Sequence, residues 1–337
     1  TSDTQNMLQE AVERLTPLIG REHIYVVTGG HLVEAIRSAG VGVGDENVVA
    51  EPCKRDTAGC LVFAAAHILA VYGGDGSNIS MAVGTADHQI GEPDLFRSTI
   101  DASLEVAEKR EALVTHGIVP TRPDTGFGYI QESSDPADAL EVKGIRMARA
   151  EAFHEKPNEV KAEDFIATGH YFWNSGMFFW RLDTFVAEMR AVRPEMADVI
   201  EAMAESIRDK DEVSASSRFE TLEGISIDYA LMEHSHNVIV VRAEYPWDDV
   251  GSWPSLDRTR EKDAHGNVAI GDPVIVNCEN TIVYNDLGAD EMSVSVIGVR
   301  DMVVVVSKDG VLVVPKDEAM HVRDAVKELK GRGSKHV

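Results

Sequence analysis

The amino-acid sequence predicts an α/β protein with a mostly parallel mixed sheet and a small β-rich domain at its C-terminal end. From residue 20 to residue 120, short β-branched runs alternate with apolar-periodic stretches of helical length. This alternation is typical of βαβ units whose helices cover both faces of a parallel sheet. From residue 263 onward the apolar runs are short and closely spaced, which indicates a β-rich region. We therefore predict one domain over residues 1–262 and a second over residues 263–337.

The predicted elements of the first domain follow one another in chain order. Residues 1–19 have the periodicity of an amphipathic helix, and HIYVVTGG has the pattern of a buried parallel strand. Further strands are expected in ENVVAEP, ISMAVGTADH and ALVTHGIVP, and helices in HLVEAIRSAG, DTAGCLVFAAAHILAVYG and EPDLFRSTIDASLEVAEKR. Because a helix of a βαβ fold ordinarily follows a strand, we expect a further segment upstream of Thr1.

The second domain is predicted to contain several short strands and one closing helix over about residues 317–330. Strands of this length at close spacing suggest a few coils of β-helix. The region carries no cluster of catalytic residue types. We therefore expect it to serve packing or oligomerisation, for example as a homodimer contact.

Composition excludes several classes of partner. The 337 residues carry a formal net charge of −25, which argues against nucleic acid and anionic membranes, because both require a basic surface. No apolar run approaches the roughly 20 residues that a membrane helix needs. The three cysteines show no zinc-type spacing, and their odd number favours a reducing, cytoplasmic location. A small phosphorylated ligand remains compatible with this charge.

Two acidic positions are candidates for metal binding. Asp87 directly follows a predicted strand, where polar residues of an open α/β sheet meet ligands. Asp249 lies with Asp248 between two tryptophans in EYPWDDVGSW. Asp87 and Asp249 together could hold one Mg²⁺, which takes few protein carboxylates and completes its shell with water and phosphate oxygens. The alternatives are a turn-capping aspartate at Asp87 and solvated loop carboxylates at residues 248–249.

Two further segments could contact a phosphorylated ligand. In FHEKPN, Glu155 and Lys156 are either an ordinary edge charge pair or, if the chain turns at Pro157, a hydroxyl acceptor and a phosphate-binding cation. In RPDTGFGYI, Gly126 and Gly128 would allow close approach of the backbone to a ligand. A glycine-rich hairpin turn would look the same.

The segment YFWNSGMFFW places three small polar residues, Asn174–Gly176, within an aromatic run. A fully buried strand would not need these three residues at its centre, and an exposed loop would not need Trp173 and Trp180. One interpretation is a buried turn in which Asn174 satisfies the local backbone.

Together and in this order, seven stretches resemble the mannose-1-phosphate guanylyltransferases of the sugar-phosphate nucleotidylyltransferase superfamily. These stretches are EPCKRDTAGC, TADH, GIVPTRPDTGFGYIQ, FHEKP, YFWNSGMFFW, ISIDYALMEHS and WDDVGSW. The resemblance implies a Rossmann-like, GT-A-like nucleotidyltransferase domain. The glycine-rich signature that the family carries near its first strand is absent from the sequence given. Gly84-Thr85 stands where the family has Leu-Pro, and Asp56-Thr57-Ala58-Gly59-Cys60 stands where it has Asn-Thr-Ala-Pro-Ala.

The resemblance implies that GTP and mannose 1-phosphate react, with Mg²⁺, to give GDP-mannose and pyrophosphate. A transferase for another sugar 1-phosphate or base, and a non-catalytic regulatory paralogue that binds a nucleotide sugar, are the alternatives. The implied roles are metal binding by Asp87 and Asp249, phosphate neutralisation by Lys156, sugar binding by Gly128, Glu155, Asn174 and Asp228, and nucleotide binding by Glu51, Arg55, Thr57 and Asp87. On this resemblance, the aromatic residues of YFWNSGMFFW would form a wall of the sugar pocket, with the Asn174 amide directed at vicinal sugar hydroxyls.

Overall fold

The computed structural model describes residues 5–336, and the chain divides into two compact units. The first unit contains the residues up to Ala86 together with Ile90–Pro246, and the second contains Asp87–Gln89 and the residues from Trp247 onward. The boundary therefore lies ahead of the predicted one at residues 262/263.

The physical reason for this earlier boundary is an apolar contact. Trp253 and Leu256 pack against the core formed by Val268 and Ile282 of the β-rich region. The segment that looked like the end of the first domain thereby belongs to the second unit.

The first unit alternates strands and helices in its N-terminal half, as predicted, and continues with longer strands and a helical subdomain. Its strands are β1 (Val26–Gly29), β2 (Val48–Glu51), β3 (Ser80–Val83), β5 (Leu113–Ile118), β6 (Tyr129–Glu132), β7 (Ala139–Val142), β8 (Ile145–His154), β9 (Tyr171–Arg181) and β10 (Val238–Ala243); β4 (Gln89–Ile90) spans the boundary between the units. Its helices are α1 (Met7–Leu15), α2 (Val33–Ser38), α3 (Asp56–Tyr72), α4 (Pro93–Arg110), α5 (Glu159–Thr168), α6 (Leu182–Val192), α7 (Pro194–Arg208) and α8 (Glu212–Glu220).

The main sheet has seven strands in the order β10-β5-β9-β6-β8-β7, with β3 also pairing with β9. Among these strands β10 and β5 are parallel, whereas β9 is antiparallel to β3, β5 and β6. The prediction of a mostly parallel sheet is therefore wrong, although the α/β class is confirmed. Strands β7 and β8 are joined by the two residues Lys143 and Gly144, both at positive φ. Such a short turn permits only antiparallel neighbours.

Strand β1 differs in part from the prediction of a buried parallel strand. It pairs in parallel with β2, but the two form a separate two-stranded sheet, and β1 is half-buried along its length. The predicted opening helix is present as α1, with Val12 buried. Residues 1–4 of that prediction lie outside the described residues.

Strand β9 runs through the Asn174–Gly176 segment without ending. On the neighbouring strand β5, Thr115 pairs with Phe178 and Gly117 pairs with Asn174. Two steps along β5 therefore correspond to four steps along β9, so β9 carries two extra residues in a bulge. Gly176 has φ of +69° there, a conformation in which glycine avoids the strain of a side chain.

The aromatic residues around this bulge are buried in the hydrophobic core. Trp180 is fully buried and stacks on Phe185 with ring centroids 4.6 Å apart, and Phe172 and Phe179 are also enclosed. Burying each such side chain contributes roughly 1.5–3 kcal/mol. These side chains support the sheet from within, and their role as the wall of a sugar pocket stays a prediction.

The second unit is β-rich and has the coiled form that was predicted. Its elements are β11 (Trp247–Asp248), β12 (Val268–Ile270), β13 (Val274–Val276), β14 (Ile282–Asn285), β15 (Ser295–Ile297), β16 (Met302–Val306), β17 (Val311–Pro315), α9 (Leu256–Thr259) and α10 (Val322–Gly331). Strands β12, β14 and β16 stack in parallel, as do β13 and β15. Two parallel stacks of short strands are the arrangement of β-helix coils.

None of the helices that the structure describes combines the length and apolar character that crossing a lipid bilayer requires.

A buried histidine in β5 should make folding stability depend on pH. His116 is fully enclosed, shares hydrogen bonds with Ser103 Oγ (2.9 Å) and Tyr245 Oη (2.7 Å), and burial lowers its pKa to about 3. In the unfolded chain His116 has the ordinary histidine pKa of about 6.5. The stability contributed by neutral His116 is therefore complete above that pH and is lost as pH falls towards 3, by up to about 1.4 kcal/mol per pH unit.

We predict that His116→Gln flattens the dependence of unfolding free energy on pH between 6.5 and 4, as measured by urea denaturation. The exposed His336→Gln serves as the control and should keep the wild-type slope. An unchanged slope in His116→Gln would contradict the assignment, whatever its effect on stability at pH 7.

Candidate functional site

Five of the predicted sugar- and phosphate-binding residues converge in the first unit, and we call them the polar cluster. Gly128 immediately precedes β6, Glu155 and Lys156 immediately follow β8, and Asn174 lies at the bulge of β9. Asp228 begins a π-helical turn, Asp228–Met232. Turns of this kind occur often at functional sites.

Direct contacts link the members of the polar cluster. The Asn174 backbone N–H donates to the Gly128 carbonyl at 2.9 Å, and Asn174 Nδ2 donates to Asp228 Oδ1 at 2.6 Å. A Cβ atom on Gly128 would lie 2.6 Å from Glu155 Oε2, well inside contact distance. Glycine at position 128 therefore allows the Glu155 carboxylate to sit against the backbone.

Lys156 supplies the positive charge of the cluster. Its Nζ lies 2.8 Å from Glu155 Oε1, and its side chain is 63% exposed while that of Glu155 is 19% exposed. The hydrogen bond to Glu155 raises the pKa of Lys156, so the ammonium is charged at neutral pH. Lys156 also has φ of +46°, an uncommon backbone conformation for a non-glycine residue. Strain of this kind is concentrated at functional sites.

Asp228 is a half-buried acid of the cluster. Burial raises its pKa, the negative charge of Glu155 raises it further, and the hydrogen bond from Asn174 opposes both effects. The turn that carries Asp228 is anchored one residue earlier, where the Ile227 backbone N–H donates to Thr57 Oγ1 at 2.8 Å. Thr57, a predicted nucleotide-binding residue, thus fixes the position of a predicted sugar-binding residue.

The amide of Asn174 has protein partners at both ends. Its Oδ1 accepts from the Gly176 N–H at 3.2 Å, and Nδ2 donates to Asp228. The local-backbone alternative is therefore realised in part. The Nδ2 group carries two hydrogens, so the bond to Asp228 is compatible with donation to a ligand oxygen.

The remaining predicted nucleotide-binding residues lie at the start of α3 and the end of β2. Arg55 donates to the Glu220 carbonyl at 2.7 Å, which ties this segment to the end of α8. Burial raises the pKa of Glu51, and within residues 5–336 its Oε2 is buried without a hydrogen-bond partner. A buried carboxylate oxygen in that state is costly unless a ligand donor completes it.

In the second unit, the two adjacent aspartates have different environments. Asp248 is buried, and Arg258 donates to it twice, from Nε at 2.5 Å and from its terminal nitrogen at 3.1 Å. Asp248 Oδ1 also accepts from the Val250 N–H at 3.0 Å. Asp248 is therefore the structural member of the pair, and it orders the turn on which the half-buried Asp249 lies.

Asp87 and Asp249 flank a short two-stranded pairing of β4 with β11. Between them, Trp247 Nε1 donates to His88 Nδ1 at 3.1 Å. Because the indole nitrogen can only donate, Nδ1 accepts, and the proton of the neutral ring lies on Nε2. That nitrogen is 3.9 Å from Asp87 Oδ1, so His88 orients towards this carboxylate.

Asp87 and Asp249 supply carboxylate oxygens, the donor type that hard divalent cations prefer. No group of three or more His, Cys, Asp or Glu side chains that could hold a metal is present among the described residues. Two carboxylates are compatible with Mg²⁺, which keeps several waters and takes phosphate oxygens from its substrate.

Sequence reasoning missed the residues that hold the loop before Gly128. Arg122 and Asp124 form an ion pair at 2.7 Å, and the Arg122 guanidinium lies over the ring of Trp173, 4.8 Å from its centroid. The arginine-proline-aspartate sequence was visible, but the contact with Trp173 exists only in the folded chain.

Comparisons with known proteins agree with this architecture. A family model described as nucleotidyl transferase matches residues 2–266, and one described as the MannoseP isomerase/GMP-like β-helix domain matches residues 271–329. The fold and the two matches define a nucleotidyl transferase with a C-terminal β-helix domain. Within that class, the chain belongs to the mannose-1-phosphate guanylyltransferase family.

Its relatives include a mannose-1-phosphate guanylyltransferase from Escherichia coli, 33% identical over 99% of this chain and 70% of that protein, and one from strain K12, 36% identical over 86% and 59%. The alginate biosynthesis protein AlgA of Pseudomonas aeruginosa is 34% identical over 97% and 66%. The chain therefore spans between 59% and 70% of the length of these relatives.

A crystal structure from Thermus thermophilus, described as a mannose-1-phosphate geranyltransferase, superposes with a TM-score of 0.83 at 32% identity. The match covers 98% of this chain and 90% of that one. This agreement extends over both the α/β and the β-rich units.

We predict that Asp228→Asn does not destabilise the protein at pH 7 and raises its Tm. Because the folded-state pKa of Asp228 is raised, the stability of its neutral form is present below the ordinary aspartate pKa and is lost as pH rises through the raised value. Asparagine mimics the neutral form and still accepts from Asn174. The gain in Tm should shrink as pH falls through the raised pKa, because a growing fraction of Asp228 is then itself protonated.

Thermal denaturation at pH 7 and pH 4 measures this difference, with the exposed Asp164→Asn as the matched control. A loss of stability at pH 7 specific to Asp228→Asn would show that the ionised carboxylate is stabilising instead.

Proposed function

We propose that this chain transfers GMP from GTP to mannose 1-phosphate, giving GDP-mannose and pyrophosphate. The observation that carries the proposal is the polar cluster, in which an exposed ammonium lies beside a carboxylate, an Asn–Asp pair and a glycine. Such a set provides one cation for a phosphate and several hydrogen-bonding groups for sugar hydroxyls. The relatives named as guanylyltransferases support the choice of substrates.

The reaction itself requires alignment more than proton transfer. A phosphate oxygen of mannose 1-phosphate forms a bond to the α-phosphorus of GTP, while the bond from that phosphorus to the oxygen bridging the β-phosphate breaks. Pyrophosphate leaves with the electron pair of that bond. Because the attacking oxygen is already anionic at pH 7, no general base is needed. The protein contributes positioning and neutralisation of charge.

In this proposal Lys156 neutralises the phosphate of the sugar substrate. Its exposed Nζ is held by the ion pair with Glu155, and an incoming dianion competes for it. Glu155, Asn174 and Asp228 accept from or donate to sugar hydroxyls, and the Gly128 backbone N–H contributes a further donor. Glu51, Arg55 and Thr57 contribute to nucleotide binding, with the buried Glu51 Oε2 as the acceptor for a nucleotide N–H or hydroxyl donor.

Asp87 and Asp249 are the proposed holders of Mg²⁺. When bound, the cation supplies positive charge to the phosphate oxygens of the nucleotide. Asp248 and Arg258 keep the turn in place so that Asp249 presents its carboxylate.

A substrate panel tests the reaction. Pyrophosphate release is measured with GTP or ATP against mannose 1-phosphate or glucose 1-phosphate. Highest kcat/KM with GTP and mannose 1-phosphate supports the proposal, whereas preference for another pair assigns a different nucleotidylyltransferase. Binding of GDP-mannose in calorimetry without pyrophosphate release from any pair would favour a regulatory, non-catalytic protein.

We predict that Lys156→Ala raises the KM for the sugar 1-phosphate at least about tenfold, the scale of a lost charge-assisted hydrogen bond. The KM for GTP should change much less. Initial-rate kinetics with each substrate varied in turn measures both values. Lys161→Ala, an exposed lysine on α5, is the control and should behave as wild type. Unchanged kinetics for the sugar 1-phosphate in Lys156→Ala would remove that residue from the site.

We predict that Asp249→Asn loses most turnover while keeping the wild-type Tm, with activity partly restored by excess Mg²⁺. Asp248→Asn should instead lower the unfolding free energy by about 1–3 kcal/mol, because it weakens a partly buried ion pair with Arg258. Turnover at several Mg²⁺ concentrations and thermal denaturation separate the two variants. Normal activity of Asp249→Asn at low Mg²⁺ would exclude it as a ligand.

A further inference from the structure

We infer that Arg122 is a positioning residue for the sugar-phosphate substrate, through the loop that it holds. This loop, residues 122–128, ends at Gly128 of the polar cluster. The inference rests on the proposed function, since it assigns the loop to one of the two substrates. Its structural basis is a closed set of contacts between the loop and strand β9.

The first contact joins Arg122 to Asp124 within the loop. Arg122 Nε donates to Asp124 Oδ2 at 3.0 Å, and its terminal nitrogen lies 2.7 Å from the same oxygen. The side chains are 30% and 26% exposed, so the pair is largely shielded from water. A shielded, charge-assisted pair of this kind is stronger and more directional than an exposed one.

Asp124 in turn accepts two hydrogen bonds that hold the loop backbone. Its Oδ1 accepts from the Gly126 N–H at 2.9 Å, and its carbonyl accepts from the Tyr129 hydroxyl at 3.0 Å. Tyr129 is the first residue of β6, and it is fully buried. The Asp124 carboxylate, which Arg122 orients, therefore holds the backbone at Gly126, ahead of Gly128. The backbone carbonyl of Asp124 is held by the Tyr129 hydroxyl, just after Gly128.

The second contact joins Arg122 to β9. The guanidinium carbon lies 4.8 Å from the ring centroid of Trp173 and 5.7 Å from that of Phe127. The two rings pack with centroids 5.0 Å apart. Trp173 is buried and immediately precedes Asn174. Arg122 therefore packs the loop against the strand that carries the Asn174 amide.

The backbone bond from Asn174 N–H to the Gly128 carbonyl, 2.9 Å, closes the set. Arg122 thus contacts the loop at Asp124 and the strand at Trp173, and the two meet again at Gly128 and Asn174. Loss of Arg122 should loosen Gly128 relative to Glu155 and Asn174. Lysine cannot replace it, because an ammonium lacks both the planar surface for Trp173 and the fixed fork for Asp124.

The test compares Arg122→Lys, Arg122→Ala and Asp124→Asn with the wild-type protein. Hydrogen exchange by mass spectrometry reports on peptides covering residues 120–131 and 171–178. Steady-state kinetics report the KM for mannose 1-phosphate and for GTP separately. Arg190→Lys is the matched control, because Arg190 forms an exposed pair with Asp198 at 2.7 Å on another part of the unit.

We expect faster exchange in the 120–131 peptide in all three loop variants, with Tm within a few degrees of wild type. The KM for mannose 1-phosphate should rise about tenfold, equivalent to about 1.4 kcal/mol, while kcat and the KM for GTP change less than about twofold. Arg190→Lys should leave exchange and kinetics unchanged. A merely structural arginine would not separate the two substrates in this way.

Two results would overturn the inference. Unchanged exchange in Arg122→Ala would show that the arginine does not hold the loop, and this outcome is independent of any enzymatic activity. Faster exchange with an unchanged KM for mannose 1-phosphate would show that the loop does not position this substrate. If the wild-type chain turns over no sugar 1-phosphate, the proposed function fails, and the exchange data still decide whether Arg122 orders the loop.

Discussion

The bulge in strand β9 is the feature on which both the sheet and the polar cluster depend. One edge of β9 pairs with β5, while its other edge pairs with β6 at residues 171–173 and with β3 at residues 178–181. The bulge lies between these two partners, where the regular ladder is interrupted. Its backbone therefore needs hydrogen-bond partners that neighbouring strands do not supply, and an unmet buried N–H costs roughly 1–3 kcal/mol.

The polar residues of the bulge meet this requirement themselves. Asn174 Oδ1 accepts from the Gly176 N–H, Ser175 Oγ accepts from the Met177 N–H at 3.2 Å, and Thr115 Oγ1 donates to the Met177 carbonyl at 3.0 Å. The same small side chains leave room at the surface of the sheet, and Asn174 can then reach Asp228. The polar residues in this aromatic strand thus satisfy the backbone hydrogen bonds of the bulge and also form part of the polar cluster. The aromatic side chains around them form the core.

The sequence allowed prediction of features that depend on local pattern. The βαβ alternation up to β5, the coiled β-rich unit and the closing helix all follow from periodicity and spacing. The antiparallel pairings of β6 to β9 did not, because they arise from short turns such as Lys143-Gly144, whose geometry outweighs the expectation set by the preceding repeats. Contacts between distant positions, such as Asn174 with Asp228 or Arg122 with Trp173, require the folded sheet and have no local signature.

Charge explains why the proposed site needs such close organisation. The chain carries a formal net charge of −25, so it repels anionic substrates at long range, over distances limited by a Debye length of about 8 Å at physiological salt. Attraction must then come from short-range groups. Lys156 is already paired with Glu155. A phosphate dianion that binds Lys156 therefore gains only the difference in interaction energy between phosphate and the Glu155 carboxylate as partners of the ammonium. Affinity for such a substrate would therefore depend on hydrogen bonds from a fixed backbone and on a bound cation, and both require ordered loops more than they require additional lysines.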